Sequence, residues 1–243
     1  MASARDSGGG AWLRRHLPAR PSPLGDAISA FPLFLVYQLG ILLTGGGQNA
    51  LDFATGALIE LCERNSQHYL VVLAGMTGAY ILLLVVLRRF GGVRPRAFAP
   101  LLIEAAVYAF GMGSLIVFVL RHLAGVLPGL AIGARRAAEV VVVSAGAGLN
   151  EELVFRVVLF GGTSWLLSRV MRPRRAWLVA LVLSSLCFSL VHHIGPQAEP
   201  LQATAFVYRS LGGALLAVIY SLRGFSVAAW THAFYDVYVL SAA

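Results

Sequence analysis

Three charged residues, Glu151, Glu152 and Arg156, lie inside an otherwise apolar stretch of the sequence. Their flanks, 140–147 and 157–167, are typical of membrane-embedded helix. Each charge near a bilayer centre costs about 2.5–3.5 kcal/mol on insertion scales, so three together indicate a function. On a helix Glu152 and Arg156 share a face and can pair, whereas Glu151 points about 100° away. We therefore expect Glu152 to be structural and Glu151 to be available for chemistry.

Two further pairs show the same four-residue spacing in late apolar runs. Phe188 and His192 end one run, and His232 and Asp236 lie inside the last. Each pair shares one face of a helix. A single intramembrane histidine is more often a structural hydrogen-bond donor than a catalyst. Glu, His, His and Asp on three separate helices, however, indicate a shared polar cavity.

Such a cavity suits hydrolysis by an activated water. Glu151 could act as the general base, with His192 orienting the same water and later supplying a proton to the leaving amine. His232 could donate to the developing oxyanion, where a fixed dipole in a dry site has a large effect. Asp236 could accept from the other ring nitrogen of His232 and so set its tautomer.

The composition places these residues in a membrane protein. The chain has 243 residues, of which 58% are hydrophobic and 12% charged, with a mean hydropathy of +0.76. A soluble domain carries about 25% charged residues. We therefore predict an all-α polytopic helix bundle with about seven to eight transmembrane helices. Seven spans are expected at 27–44, 69–87, 98–120, 137–171, 176–191, 201–222 and 225–240, with an eighth short helix possible near 124–133.

The fourth apolar run is too long for one regular span. It would measure about 50 Å as a continuous helix, against about 30 Å for a bilayer core. We expect it to be tilted, interfacial or kinked near Gly146 and Gly148. Residues 1–25 are predicted to be a basic flexible tail, and 26–243 a single transmembrane domain with its motifs within 150–240.

The basic residues predict topology rather than nucleic-acid binding. All nineteen are Arg, the formal net charge is +8, and most lie in short clusters beside apolar runs. The tail and the loops 88–96 and 169–175 are alternate, so they should share one side, the cytoplasm. We expect a multi-pass protein of the bacterial cytoplasmic (inner) membrane, with a cytoplasmic N-terminus and His192 towards the outer face.

The three motifs together resemble those of a known family, in the same order. It is the CPBP family of intramembrane glutamic endopeptidases, which groups CAAX prenyl proteases with bacteriocin-processing or immunity (Abi-like) proteins. The resemblance covers roughly 140–240. The matching motifs are Glu151-Glu152-x-x-x-Arg156, Phe188-x-x-x-His192 and His232-x-x-x-Asp236.

This resemblance implies a glutamic-type protease. Glu151 and His192 would act on the water, and His232 and Asp236 on the oxyanion. The supporting residues would be Glu152, Arg156 and Phe188. The prenyl proteases look to have Asn where this chain has Asp236. Because an ionised Asp would repel an oxyanion, Asp236 must be protonated or act only by orienting His232.

Three alternatives stay open from the sequence. We expect no cofactor, but Glu151, His192 and His232 could instead hold zinc with one position left for water. The HExxH spacing of many zinc proteases is absent. A proton-coupled transporter also uses buried acids and histidines. The chain could also be a catalytically silent immunity or scaffold protein.

The expected partners are the lipid bilayer and a membrane-anchored protein or peptide substrate. The preferred hypothesis is an endopeptidase that trims a C-terminal anchor or tail during sorting or maturation, sortase-like in purpose only. The alternative is cleavage of a prenylated CAAX tail. His193 could exchange roles with its neighbour His192.

Overall fold

The computed structural model describes residues 19–44, 65–124, 137–194, 198 and 200–241, and all regular secondary structure within them is helical. The all-α prediction is therefore confirmed. The α-helices are α1 Pro23–Thr44, α2 Ser66–Leu87, α3 Phe98–Val119, α4 Ala137–Gly146, α5 Thr163–Leu167, α6 Pro173–Val191, α7 Ala203–Arg223 and α8 Phe225–Ser241. Most of the predicted basic tail lies outside the described residues, and α1 already begins at Pro23.

Five helical segments are long and apolar enough to cross a membrane, which confirms a multi-pass bundle. They are Pro23–Thr44, Gln67–Phe90, Pro95–His122, Pro173–Val191 and Ala203–Arg223. The predicted spans at 137–171 and 225–240 are helical, but they are not among these five. α8 has 17 residues and is therefore about 26 Å long, slightly shorter than a bilayer core. The eighth helix predicted near 124–133 falls almost entirely outside the described residues.

The fourth apolar run is helical but irregular between α4 and α5. Two π-helical stretches, Ala147–Glu151 and Leu153–Gly162, interrupt it. The irregularity expected near Gly146 and Gly148 thus takes the form of wide π turns. π turns inside helices often occur at functional sites, because they rotate the side chains that follow them. Here they contain Glu151 and Arg156 of the first motif, and Glu152 lies at the junction between them.

α8 lies in the middle of the bundle and packs against α1, α3, α7 and the segment 137–151. Its contact with the first π turn is tight because Gly148 has no side chain. A Cβ at Gly148 would overlap the carbonyl oxygen of Ala229 and lie 2.9 Å from the Cβ of Ala233. This close approach brings the π turns next to the helix that carries His232.

The sharp turn between α7 and α8 is held by a residue of α1. Gly224 has φ +99°, a backbone conformation that favours glycine. The buried carboxylate of Asp26 accepts hydrogen bonds from the Ser226 backbone N–H at 2.9 Å and from the Ser226 hydroxyl at 2.7 Å. Asp26 therefore supplies a helix cap to α8 from a distant part of the chain.

The loops that were predicted to share one side do lie at one end of the bundle. The Ser22 hydroxyl donates to the Gly92 carbonyl at 2.8 Å, which joins the start of α1 to the 88–96 loop. The Trp177 indole donates to the Ser221 hydroxyl at 3.1 Å, which joins the start of α6 to the end of α7. Arg20, just before α1, donates to the Ser221 carbonyl at 3.4 Å and so links the two pairs. α6 runs from this end, so His192 lies about 28 Å along its axis, near the other end.

Candidate active site

The residues of the three motifs converge between the π turns, the end of α6 and the middle of α8. Glu151 is the centre of the group. Its Oε2 lies 3.8 Å from Nε2 of His192 and 3.9 Å from Nε2 of His232. The Glu151 side chain is only 4% exposed. Two imidazole nitrogens from different helices thus face one buried carboxylate oxygen, as the hydrolytic hypothesis requires.

Glu152 has two partners, one of which could not be predicted from its spacing. Its Oε2 forms the expected ion pair with Nε of Arg156, at 2.9 Å. Its Oε1 lies 2.9 Å from Nδ1 of His232 on α8. The carboxyl group of Glu152 and the guanidinium group of Arg156 are both fully buried. Glu152 therefore ties α8 to the π turns as well as neutralising Arg156.

This contact corrects the prediction that Asp236 orients His232. Asp236 Oδ2 lies 3.7 Å from Nε2 of His232, beyond hydrogen-bond distance and on the other side of the ring from Nδ1. Glu152, rather than Asp236, accepts from the second ring nitrogen. The error has a geometric reason: the four-residue spacing placed Asp236 on the right face, but Glu152 reaches the ring from another helix.

The partner of each ring fixes which nitrogen carries hydrogen. Nδ1 of His192 lies 2.8 Å from the carbonyl oxygen of Phe188, which can only accept. Nδ1 must therefore donate, and Nε2 of a neutral His192 presents a lone pair towards Glu151. For His232, Nδ1 donates to the carboxylate of Glu152, so its Nε2 can donate only when the ring is an imidazolium.

Phe188 is the apolar support that holds these groups together. Its ring centre lies 4.9 Å from the guanidinium carbon of Arg156. It also lies 5.1 Å from the ring of His192 and 5.8 Å from that of His232. A cation over an aromatic face is stabilised by the ring quadrupole, so Phe188 helps to accommodate a buried arginine. The predicted supporting role of Phe188 rests on these contacts.

The most exposed members of the site are His192 and Asp236. Their side chains are 21% and 24% exposed, compared with 6% for His232 and 4% for Glu151. His193 lies against Phe206 instead, with ring centres 6.2 Å apart. His192 and Asp236 are therefore the members of the site that solvent reaches most readily.

Two charged residues outside the motifs have partners that the sequence did not indicate. Arg209 of α7 interacts electrostatically with Asp236, so α7 also contributes to the site. The carboxylate of Glu104 in α3 accepts a hydrogen bond from the Arg223 guanidinium at the end of α7, at 2.9 Å. Only the position of Arg209 in an apolar run could have suggested a role for it.

The alternative zinc set was tested against the geometry of these side chains. Within the described ranges, no group of three or more His, Cys, Asp or Glu residues is arranged to hold a metal ion. Glu152 binds Nδ1 of His232, and the Nε2 atoms of His192 and His232 lie 3.8 and 3.9 Å from Oε2 of Glu151. A carboxylate on the second ring nitrogen is also common for metal-bound histidines, so the absence of a cofactor stays a prediction.

Comparison with protein families finds a match for the C-terminal part of the chain. Residues 133–238 match the family described as Rce1-like, type II CAAX prenyl endopeptidase. The predicted family resemblance is confirmed. The match begins shortly before α4, ends within α8 and includes all three motifs. It supports intramembrane protease activity in general. No curated protein and no solved structure gives a significant match to the chain.

Proposed function

We propose that this protein is an intramembrane endopeptidase of the glutamic type, acting on membrane-anchored proteins or peptides. The observation that carries the proposal is the convergence of Glu151 with Nε2 of both His192 and His232, at 3.8 and 3.9 Å. These groups come from three separate helical elements and are largely buried. Such an arrangement is suited to a single water molecule attacking a peptide carbonyl.

In this mechanism Glu151 and His192 share the nucleophilic water. A water oxygen about 2.8 Å from both groups can donate one hydrogen to each, since both present lone pairs. As the oxygen bonds to the scissile carbonyl carbon, Glu151 takes one proton. When the C–N bond breaks, that proton passes through His192 to the leaving amine. The net reaction consumes one water and releases a carboxylic acid and an amine.

His232 supplies the oxyanion contact as an imidazolium. Glu152 holds its Nδ1, which leaves Nε2–H directed towards the shared space. Three surrounding carboxylates, those of Glu151, Glu152 and Asp236, favour positive charge on this ring. Asp236 lies near the same Nε2 and could also contact the oxyanion. It can assist only when it is protonated, because an ionised carboxylate would repel the oxyanion. An ionised Asp236 would instead stabilise the imidazolium.

The substrate side is proposed from the distribution of arginines. If the loops 88–96 and 169–175 face the cytoplasm of a bacterial inner membrane, the exposed His192 lies towards the outer face. That suits trimming of a C-terminal anchor or tail that presents its cleavage point there. The family match favours a second candidate, cleavage of a prenylated CAAX tail, which requires access from the cytoplasm.

The experiment compares wild type, Glu151→Gln and Glu139→Gln in membranes at matched expression. Glu139 lies in the first turn of α4, in the same helical run but outside the motifs, and serves as the control. The readout is mass spectrometry of the C-termini of anchored membrane proteins. We expect new C-termini with wild type and Glu139→Gln, and their loss with Glu151→Gln. Identical C-termini in all three would favour a transporter or a silent scaffold.

A further inference from the structure

A set of exposed arginines lies at the end of the bundle opposite His192. These eight residues, which we call the arginine end, belong to the 88–96 loop, to the connection between α5 and α6, and to the first turn of α6. Contacts through Ser22, Gly92, Trp177 and Ser221 place both loops at this end. The arginine end consists of Arg88, Arg89, Arg94, Arg96, Arg169, Arg172, Arg174 and Arg175.

No carboxylate in the described part of the chain forms an ion pair with any of these eight arginines. The two acidic residues nearest this end already have other partners. Asp26 caps α8 through Ser226, and Glu104 binds Arg223. Eight exposed positive charges thus meet no negative charge from the described chain. An anionic partner would supply the negative charge that these arginines lack.

Aromatic residues beside the arginines place this end at the level of lipid head groups. The guanidinium of Arg169 lies 4.4 Å from the ring centre of Trp165, which is 61% exposed. An open cleft of about 470 Å³ lies at the start of α6, lined by Pro173, Arg174, Trp177 and Leu178. Tryptophan and arginine at the end of a span are typical of the boundary between lipid tails and head groups.

We propose that the arginine end is a docking surface for anionic phospholipid head groups, with the cleft at Arg174 and Trp177 as one binding site on it. Arginine suits a phosphate because its planar guanidinium can donate two hydrogen bonds to one group. The apolar lining of the cleft, Leu178 and Trp177, continues along α6 and would contact the upper acyl chain.

This docking surface is joined directly to the candidate active site. Arg169 and Arg172 follow the segment with Glu151, and Arg174 and Arg175 begin α6, whose last residue directly precedes His192. A lipid bound there would restrain both elements together. The inference does not depend on hydrolysis, so it is tested by binding and stability rather than by cleavage.

The test uses the full chain purified in a neutral detergent, with thermal unfolding as the readout. We compare added phosphatidylglycerol, phosphatidylcholine and inorganic phosphate. The variants are Arg174→Gln, the triple variant R172Q/R174Q/R175Q, and the control Arg121→Gln. Arg121 is also exposed but follows α3 at the opposite end of the bundle. Native mass spectrometry on the same samples counts retained lipids.

We expect phosphatidylglycerol to raise the unfolding temperature of wild type by several degrees, with little effect of phosphatidylcholine or free phosphate. The shift should decrease in Arg174→Gln, disappear in the triple variant and persist in Arg121→Gln. It should also weaken at high salt, because exposed charges are screened. Equal shifts with both lipids, or an unchanged shift in the triple variant, would overturn the proposal.

Discussion

At the scale of single residues, spacing predicts which side chains face the same way but not what they meet. The pairs Glu152–Arg156 and His232–Asp236 lie on shared faces, as their four-residue spacing indicated. The bond from Glu152 to His232 joins residues 80 positions apart and depends on how α8 docks against the π turns. No periodicity in the sequence encodes that docking geometry.

Glu151 and Glu152 should respond differently to substitution. Glu151→Gln removes the base and should lower the cleavage rate by about 10²–10⁴-fold while leaving the unfolding temperature nearly unchanged. Glu152→Ala leaves Arg156 as an uncompensated buried charge, which costs about 3–5 kcal/mol. It also releases His232. Turnover and thermal unfolding of both variants, measured side by side, check this contrast.

The reverse pattern would contradict the assignment. If Glu152→Gln abolished cleavage without affecting stability while Glu151→Gln stayed active, the base would be Glu152. The control Glu139→Gln should match wild type in both measurements, because Glu139 lies at the start of α4 and away from the three motifs.

Asp236→Asn should retain cleavage. Asn can donate a hydrogen bond to an oxyanion at any pH, whereas Asp can do so only when protonated. We therefore expect the variant to keep its activity at neutral pH, as measured by a pH–rate profile. A complete loss of activity in Asp236→Asn, with unchanged folding, would show that the carboxylate itself is needed.

At the scale of elements, apolar runs predict helices well but not their internal irregularities or closest contacts. The length of the 137–171 run indicated that it could not be one regular span, and the structure has π turns there. Which glycine permits a close crossing could not be predicted. Gly146 meets the ring of Tyr37, Gly148 meets the backbone of α8, and Gly162 has nothing within 4 Å.

Gly148→Ala should therefore separate the π turns from α8. Its Cβ would overlap the Ala229 carbonyl, a backbone atom that cannot rotate away. Overpacking costs about 1–3 kcal/mol, and a shift of 1 Å between catalytic groups can cost about 10²-fold in rate. The matched control, Gly162→Ala, lies in the same irregular segment with open space around it. Equal activities of the two variants would contradict this account of the crossing.

The cap that α1 supplies to α8 should be measurable through Asp26. Asp26→Ala removes the acceptor for two bonds from Ser226 and should cost about 0.5–2 kcal/mol of stability. Asp26→Asn keeps a side-chain oxygen and should recover part of that loss. Thermal unfolding of the two variants checks the order. An Asn variant less stable than the Ala variant would contradict the capping role.

At the scale of the whole molecule, the arginine clusters predicted which loops share an end, and the hydrogen bonds among the helix ends beside those loops agree. The number of spans was harder to predict. α8 is buried in the bundle and needs less apolar surface of its own, and the 137–167 segment carries the motif charges. Hydropathy reports contact with lipid, so it is weakest for the helices that form the core.

The orientation can be tested with single cysteines at Val93 and Ile194, both exposed. They would be introduced into a background in which Cys62 and Cys187 are replaced by Ala. We expect an impermeant thiol reagent to label Ile194→Cys in intact cells, and Val93→Cys only after permeabilisation. The opposite labelling would place the site opening in the cytoplasm and favour the CAAX-type candidate.

The most direct test of the central claim is single-turnover cleavage of an anchored peptide by the purified, reconstituted protein in ¹⁸O-labelled water with a chelator present. The account predicts that wild type still cleaves and places one ¹⁸O in the new carboxyl group, while Glu151→Gln and His192→Ala do not. Loss of wild-type cleavage with the chelator and its recovery with zinc would contradict it. So would cleavage by Glu151→Gln at the wild-type rate.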